Sequence, residues 1–99
     1  LAEPERLEAV VHGRVQGVGF RMHVADAARE LLLVGWVANE AGGTVHCIAE
    51  GARSDLERLL AGLQTGPRGA FVERVDASFS AATGGFRRFE IRSGWHSGD

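Results

Sequence analysis

The sequence predicts an α+β sandwich: an antiparallel sheet, two helices on one face, and an extra C-terminal strand. Three observations carry this reading. Two segments repeat apolar residues at helical spacing. The other apolar segments are short, rich in β-formers and bounded by Gly-containing turns. Read in order, they give βαββαβ plus one strand.

Residues 7–13 (LEAVVHG) alternate loosely and predict the first strand. Residues 13–19 hold Gly13, Gly17 and Gly19 spaced by Val, which marks a loop with unusual backbone angles. From Arg21 the pattern turns helical. Phe20, Val24, Ala28 and Leu31 fall on one stripe, and Asp26, Arg29 and Glu30 lie off it. Residues 35–39 read as a short strand, residues 40–43 as a tight turn, and residues 44–50 as a strand pairing back in a hairpin. Ser54 and Glu57 are spaced as a capping box for the second helix. Leu56, Leu59, Leu60 and Leu63 supply its apolar face, and Gly66-Pro67 ends it. Residues 70–79 predict a long strand, in which Val72 and Val75 sit three apart and require a bulge or twist. After a turn at 82–85, residues 86–92 predict the last strand, with Phe89 and Ile91 on one face. Right-handed crossovers fold this order on the ferredoxin-like plan. One domain covers 1–99, with a core at about 7–92 and short flexible tails.

Composition narrows the chemistry. The chain has 99 residues, enough for one modest core. Its formal charge of -2 offers no nucleic-acid or membrane surface. All 11 cationic side chains are Arg, so a Walker A loop and Schiff-base lysine chemistry are excluded. Tyr is absent. Cys47 is the lone cysteine, which excludes an intrachain disulfide and a Cys-pair zinc site and fits a reducing compartment. The apolar run at 31–38 is far too short to span a membrane, and the first residues show no secretory core. A cytoplasmic protein is expected. The missing initiator Met suggests a trimmed terminus or an excised domain.

Residues 13–21 lie between a strand and a helix. Backbone N–H groups at a helix N-terminus favour an anion, and Gly lets consecutive N–H groups converge as a nest. Arg21 can add a forked pair of donors. The same pattern is also that of a plain Gly-rich turn with a solvated Arg. The dinucleotide fingerprint fails, because Met22 stands where its third Gly would be.

The run VHGRVQGVGFR at 11–21 resembles the signature of the acylphosphatase family, and GWVAN at 35–39 resembles its second signature. Their separation, Gly66-Pro67 and the run FEIR at 89–92 match as well, so the resemblance covers roughly residues 8–92. It implies a metal-free, cofactor-free hydrolase of small acyl phosphates that acts as a monomer. It implies that the loop amides of Val15, Gln16, Gly17, Val18, Gly19 and Phe20 cradle the phosphate. Arg21 would bind it too, and Asn39 would orient the attacking water. Inorganic phosphate would be both product and competitive inhibitor. The chemistry agrees independently: the leaving carboxylate has a conjugate-acid pKa of about 4 and needs no general acid.

The sequence departs from the family pattern at three places. Leu32 stands where Gly is common; if that site needs positive φ, Leu costs on the order of 1 kcal/mol. Gly42-Gly43 replaces a usual Asp-Gly turn. Met22 and His23 stand where aromatic residues are frequent, beside the cradle, which bears on acyl-group preference.

His12, His23, His46 and His96 lack metal-ligand spacing; His12 and His46 read as strand surface residues and His96 as part of a tail. Cys47 reads as a half-buried small hydrophobe. Trp36 reads as packing near the site, and Arg87-Arg88 as a solvated edge. Two other functions share the pattern. One is the acylphosphatase-like N-terminal module of a hydrogenase-maturation carbamoyltransferase, which handles carbamoyl phosphate. The other is an RNA-binding module of the same element order, which the acidic chain and the non-aromatic third strand disfavour.

Overall fold

The structure is a computed structural model and describes residues 2–93. Its elements follow the predicted order: β1 (Glu5–Arg14), α1 (Phe20–Glu30), β2 (Val34–Asn39), β3 (Val45–Gly51), α2 (Arg53–Thr65), β4 (Phe71–Ala81) and β5 (Phe89–Arg92). The sheet order is β4-β1-β3-β2-β5. The first four strands in that order pair antiparallel, whereas β5 adds to β2 in parallel. The direction follows from connectivity. Residues 82–88 cross the end of the sheet from one edge to the other, so β5 runs opposite to β4 and alongside β2.

Leu7, Ala9 and Val11 alternate inward from β1 and are fully buried. They meet Phe20, Val24, Ala25 and Ala28 of α1 and Leu56, Leu59 and Leu63 of α2 in one core. Each fully buried Leu contributes roughly 2 kcal/mol of transfer free energy. The expected irregularity in β4 is present: His12 faces Arg74 and Gly13 faces Val72, so Glu73 is the extra residue of a bulge.

The capping box is not formed. Strand β3 runs through Gly51, which leaves only Ala52 before α2, so the helix starts at Arg53 with Ala52 as an N-cap that lacks a side-chain bond. Ser54 therefore lies inside the first turn. Glu57 instead accepts from Arg53 Nε at 3.1 Å.

Helix α1 ends in a Schellman motif. Leu33 N–H donates to the Ala28 carbonyl at 2.9 Å and Leu32 N–H to that of Arg29 at 3.1 Å. The motif requires a left-handed residue at Leu32, which has φ 60 and is 88% exposed. The departure noted in the sequence is thus a strained position.

The crossing connection is anchored by Glu50, which is buried in β3. Its carboxylate accepts from Thr83 N–H, the Thr83 hydroxyl and Gly84 N–H at 2.9–3.0 Å, and Arg6 lies 3.7 Å away. Burial alone would raise its pKa; the backbone and hydroxyl donors and Arg6 outweigh that and hold it below the ordinary value. This anchor delivers the chain to β5.

Candidate active site

The loop between β1 and α1 is pinned at both ends, by Val15 and Phe20 in the core. Gly17 and Gly19 both have φ 76, while Val18 between them does not have positive φ. Such alternation turns successive N–H groups to one side. Gly19 is the N-cap of α1. The first helical bond runs from His23 N–H to the Gly19 carbonyl, so the N–H groups of Phe20, Arg21 and Met22 have no acceptor within the helix. These donors and the positive end of α1 suit an anion.

A cleft of about 350 Å³ opens at this loop. Val15, Gly17, Gly19, Phe20 and Arg21 line it from the loop and α1, joined by Met22. The sheet supplies Asn39 and Ile91. Six of the eight residues expected from the sequence therefore meet at one cleft. Gln16 and Val18 do not line it. Val18 packs against the core, and Gln16 braces the loop. Gln16 Nε2 donates to the carbonyls of Glu40 at 2.9 Å and Thr44 at 2.8 Å, tying the loop to the β2–β3 turn.

Arg21 enters the cleft from the first turn of α1, and its Nη1 donates to the Arg92 carbonyl at 2.6 Å. A guanidinium has five N–H donors in a rigid fork, so one anchored nitrogen sets the direction of the others. Asn39 ends β2 and is 3% exposed. Its Oδ1 is buried and has no hydrogen-bond donor among the described residues. Such a group is costly in a folded interior and suits an acceptor kept for a ligand or water.

Asn39 also borders a second, more open depression, with Trp36, Glu40 and Arg92 on its rim. The Arg92 guanidinium lies 4.6 Å over the Trp36 ring, and Trp36 packs edge-on against His46. Trp36 is thus a packing residue near the site. The bracing roles of Gln16 and the Arg92 carbonyl were not legible in the sequence, since each depends on a partner far along the chain.

The remaining candidates are placed elsewhere. His12 pairs with Asp76 at 3.0 Å, and His46 lies between Glu8 at 2.8 Å and Glu40 at 2.9 Å. Among the described residues no three His, Cys, Asp or Glu side chains group as metal ligands. His96 lies outside the described residues. Cys47 is fully buried, and burial pushes its thiol up to about 12, which leaves it inert as a nucleophile. Among the described residues no helix is long and apolar enough to cross a membrane.

Comparison with known proteins places this arrangement. The acylphosphatase family model matches residues 7–91. An acylphosphatase of Salinibacter ruber is 46% identical over 88 residues, covering 89% of this chain and 93% of that one. The crystal structure of acylphosphatase from Bacillus subtilis superposes with a TM-score of 0.86 at 34% identity, over 89% of this chain and 98% of that one. A segment amounting to 12% of T.kodakarensis HypF matches 88% of this chain at 31% identity and a TM-score of 0.75. With a family model that spans both motif segments and a sequence and fold similar to those of acylphosphatases over most of its length, the chain belongs to the acylphosphatase family.

Proposed function

We propose that the cleft hydrolyses small acyl phosphates to a carboxylate and inorganic phosphate, with Arg21 and Asn39 as its catalytic residues. The observation that carries this is the buried Asn39 Oδ1, which has no hydrogen-bond donor among the described residues, in a side chain that lines the same cleft as Arg21 and the loop. The N–H groups of the loop residues that line the cleft, Val15, Gly17, Gly19 and Phe20, and the Arg21 guanidinium hold the phosphoryl oxygens. Phosphoryl transfer passes through a loose transition state with charge on three equatorial oxygens, so fixed donors supply most of the catalysis.

Asn39 Oδ1 accepts a hydrogen bond from water and aims the water's oxygen at phosphorus. A bond forms between that oxygen and phosphorus while the bond from phosphorus to the acyl oxygen breaks. The carboxylate leaves with the electron pair. The water proton passes to a phosphate oxygen, giving dihydrogen phosphate. Since the carboxylate departs unprotonated, the step needs neither a general acid nor a metal. The donor set, N–H groups and a guanidinium, recognises anionic oxygen rather than a cation.

The test is hydrolysis of acetyl phosphate with a chelator present, inhibited competitively by inorganic phosphate. Loss of turnover on chelation, or inhibition that is not competitive, defeats the proposal. The proposal includes a monomer, supported by a cleft built within one chain and checked by sedimentation. It also includes a cytoplasmic site of action, supported by the lone buried thiol and checked by cell fractionation. Nucleic acid and membrane are not partners in this reading.

A second reading draws on the likeness to a segment of T.kodakarensis HypF. In it the domain serves carbamoyl phosphate as part of a larger chain. A carbamoyl phosphate kcat/KM at least tenfold above that for acetyl phosphate would favour it.

A further inference from the structure

We infer that His46 is a positioning residue for the phosphate loop: its imidazolium clasps Glu8 and Glu40, steadies the β2–β3 turn, and makes the hold on phosphate pH-dependent. This rests on the proposed function, whose phosphate site it regulates.

The turn is where the loop is tied down. Gln16 reaches it through the carbonyls of Glu40 and Thr44, and Asn39 immediately precedes it. Within the turn, Glu40 N–H donates to the Thr44 carbonyl at 2.9 Å and Gly43 N–H to the Glu40 carbonyl at 3.2 Å. Gly42 and Gly43 have φ 92 and 99, with open space where a Cβ would stand, so packing does not steady them. The Glu40 side chain adds a hold from the sheet. Its Oε2 meets His46 Nδ1 at 2.9 Å, whereas the Thr44 hydroxyl reaches Oε1 only at 3.5 Å. The other ring nitrogen, Nε2, meets Glu8 Oε2 of β1 at 2.8 Å.

An ionised carboxylate only accepts hydrogen bonds. Two carboxylates on two ring nitrogens therefore need two N–H groups, which only the imidazolium has. On deprotonation one nitrogen turns a lone pair toward a carboxylate, and one arm of the clasp opens. Histidine is the side chain that changes charge near neutral pH. The other neighbours of the ring are accounted for. Trp36 of β2 stands edge-on at 4.9 Å, with Arg92 of β5 over its ring. Val10 and Ala38, the register partners of His46, carry no charge. Asp76 of β4 is engaged by His12 and Arg74. Glu8 and Glu40 are thus the acceptors that decide the clasp.

The test measures the Kd of inorganic phosphate by titration calorimetry at about pH 5.5 and about pH 8.5, on either side of the histidine range. It compares the wild-type protein, His46→Phe and Glu8→Gln. Comparison at equal pH cancels the titration of phosphate itself, and His12 and His23 are common to all three. His46→Phe keeps a ring against Trp36 but has no N–H. It should bind phosphate about threefold more weakly than wild type at the lower pH and equally at the upper, a coupling of ordinary size for a residue outside a site. In Glu8→Gln the amide can donate to Nε2, so a neutral ring keeps its Nδ1–H on Glu40. This variant should match wild type at the lower pH and bind more tightly than wild type at the upper. A merely structural role would weaken His46→Phe by the same factor at both pH values, which overturns the clasp. So does a Glu8→Gln variant that follows wild type throughout; Glu8 is half-exposed, so this arm stands even if His46→Phe does not fold. Acetyl phosphate hydrolysis by the wild-type protein is followed separately, and its absence defeats the hydrolase reading whatever the phosphate titrations show.

Discussion

Arg21 Nη1 donates to the backbone carbonyl of Arg92 at 2.6 Å, so the cation of the cleft is braced by the outermost strand of the sheet. The brace spans 71 positions of sequence. It explains why β5, only four residues long, belongs to the site: Arg29 holds the Phe89 carbonyl from further along α1, and Ile91 lines the cleft between them.

Replacing Arg21 tests the fork as well as the charge. Arg21→Gln should lower kcat/KM on acetyl phosphate by roughly 100- to 1,000-fold, the usual cost of losing a charge-stabilising donor. Arg21→Lys should recover only part of this, because one ammonium cannot hold the Arg92 carbonyl and present a fork to phosphate. Steady-state kinetics, with circular dichroism to confirm folding, decides it.

Asn39→Ala should separate activity from stability. kcat should fall on the order of a hundredfold through misplaced water. Inhibition by inorganic phosphate should persist, since the cradle and Arg21 remain. The urea midpoint should not fall, because the change removes a buried acceptor that lacks a donor among the described residues. A clear loss of stability would show that Asn39 is chiefly structural.

Glu50 should govern part of the acid limb of stability. Its pKa is held below the ordinary 4.5 in the folded state, so its contribution is complete above about pH 4.5. That contribution fades as pH falls toward the lowered folded value. Glu50→Gln should cost about 1–3 kcal/mol at neutral pH and flatten the stability profile below pH 4.5. Urea denaturation across pH 3–7 tests both the size and the sign.

Leu32→Gly should stabilise the protein. Leu32 is left-handed at φ 60 and its side chain is 88% exposed, so little packing is lost. Relief of strain, offset by the greater freedom of Gly in the unfolded chain, leaves a gain of about 0.5–1 kcal/mol. Activity should be unaltered, and the thermal midpoint should rise.

Particular residues show how far sequence reading reached. The Leu stripe of α2 and the Val72–Val75 spacing led to a buried helix face and a bulge at Glu73, because both are periodicity arguments over a few residues. The Ser54–Glu57 pairing failed for an equally local reason. A box motif does not say where the preceding strand stops, and β3 consumes every residue to Gly51.

By itself, the sequence determined the order of elements, the Gly-rich loop at a helix start, and Arg21 as a donor beside it; Asn39 became a candidate through the family resemblance. The first three depend on neighbours a few positions apart, where backbone preference and side-chain periodicity act directly. The tertiary structure alone decided that β5 enters parallel to β2, that Gln16 ties the loop to the β2–β3 turn, and that Asn39 is buried without a donor among the described residues. Each arises from groups distant in sequence meeting through sheet register and core packing. A short motif can name the donors of such a site, but only closure of the sheet sets where they point.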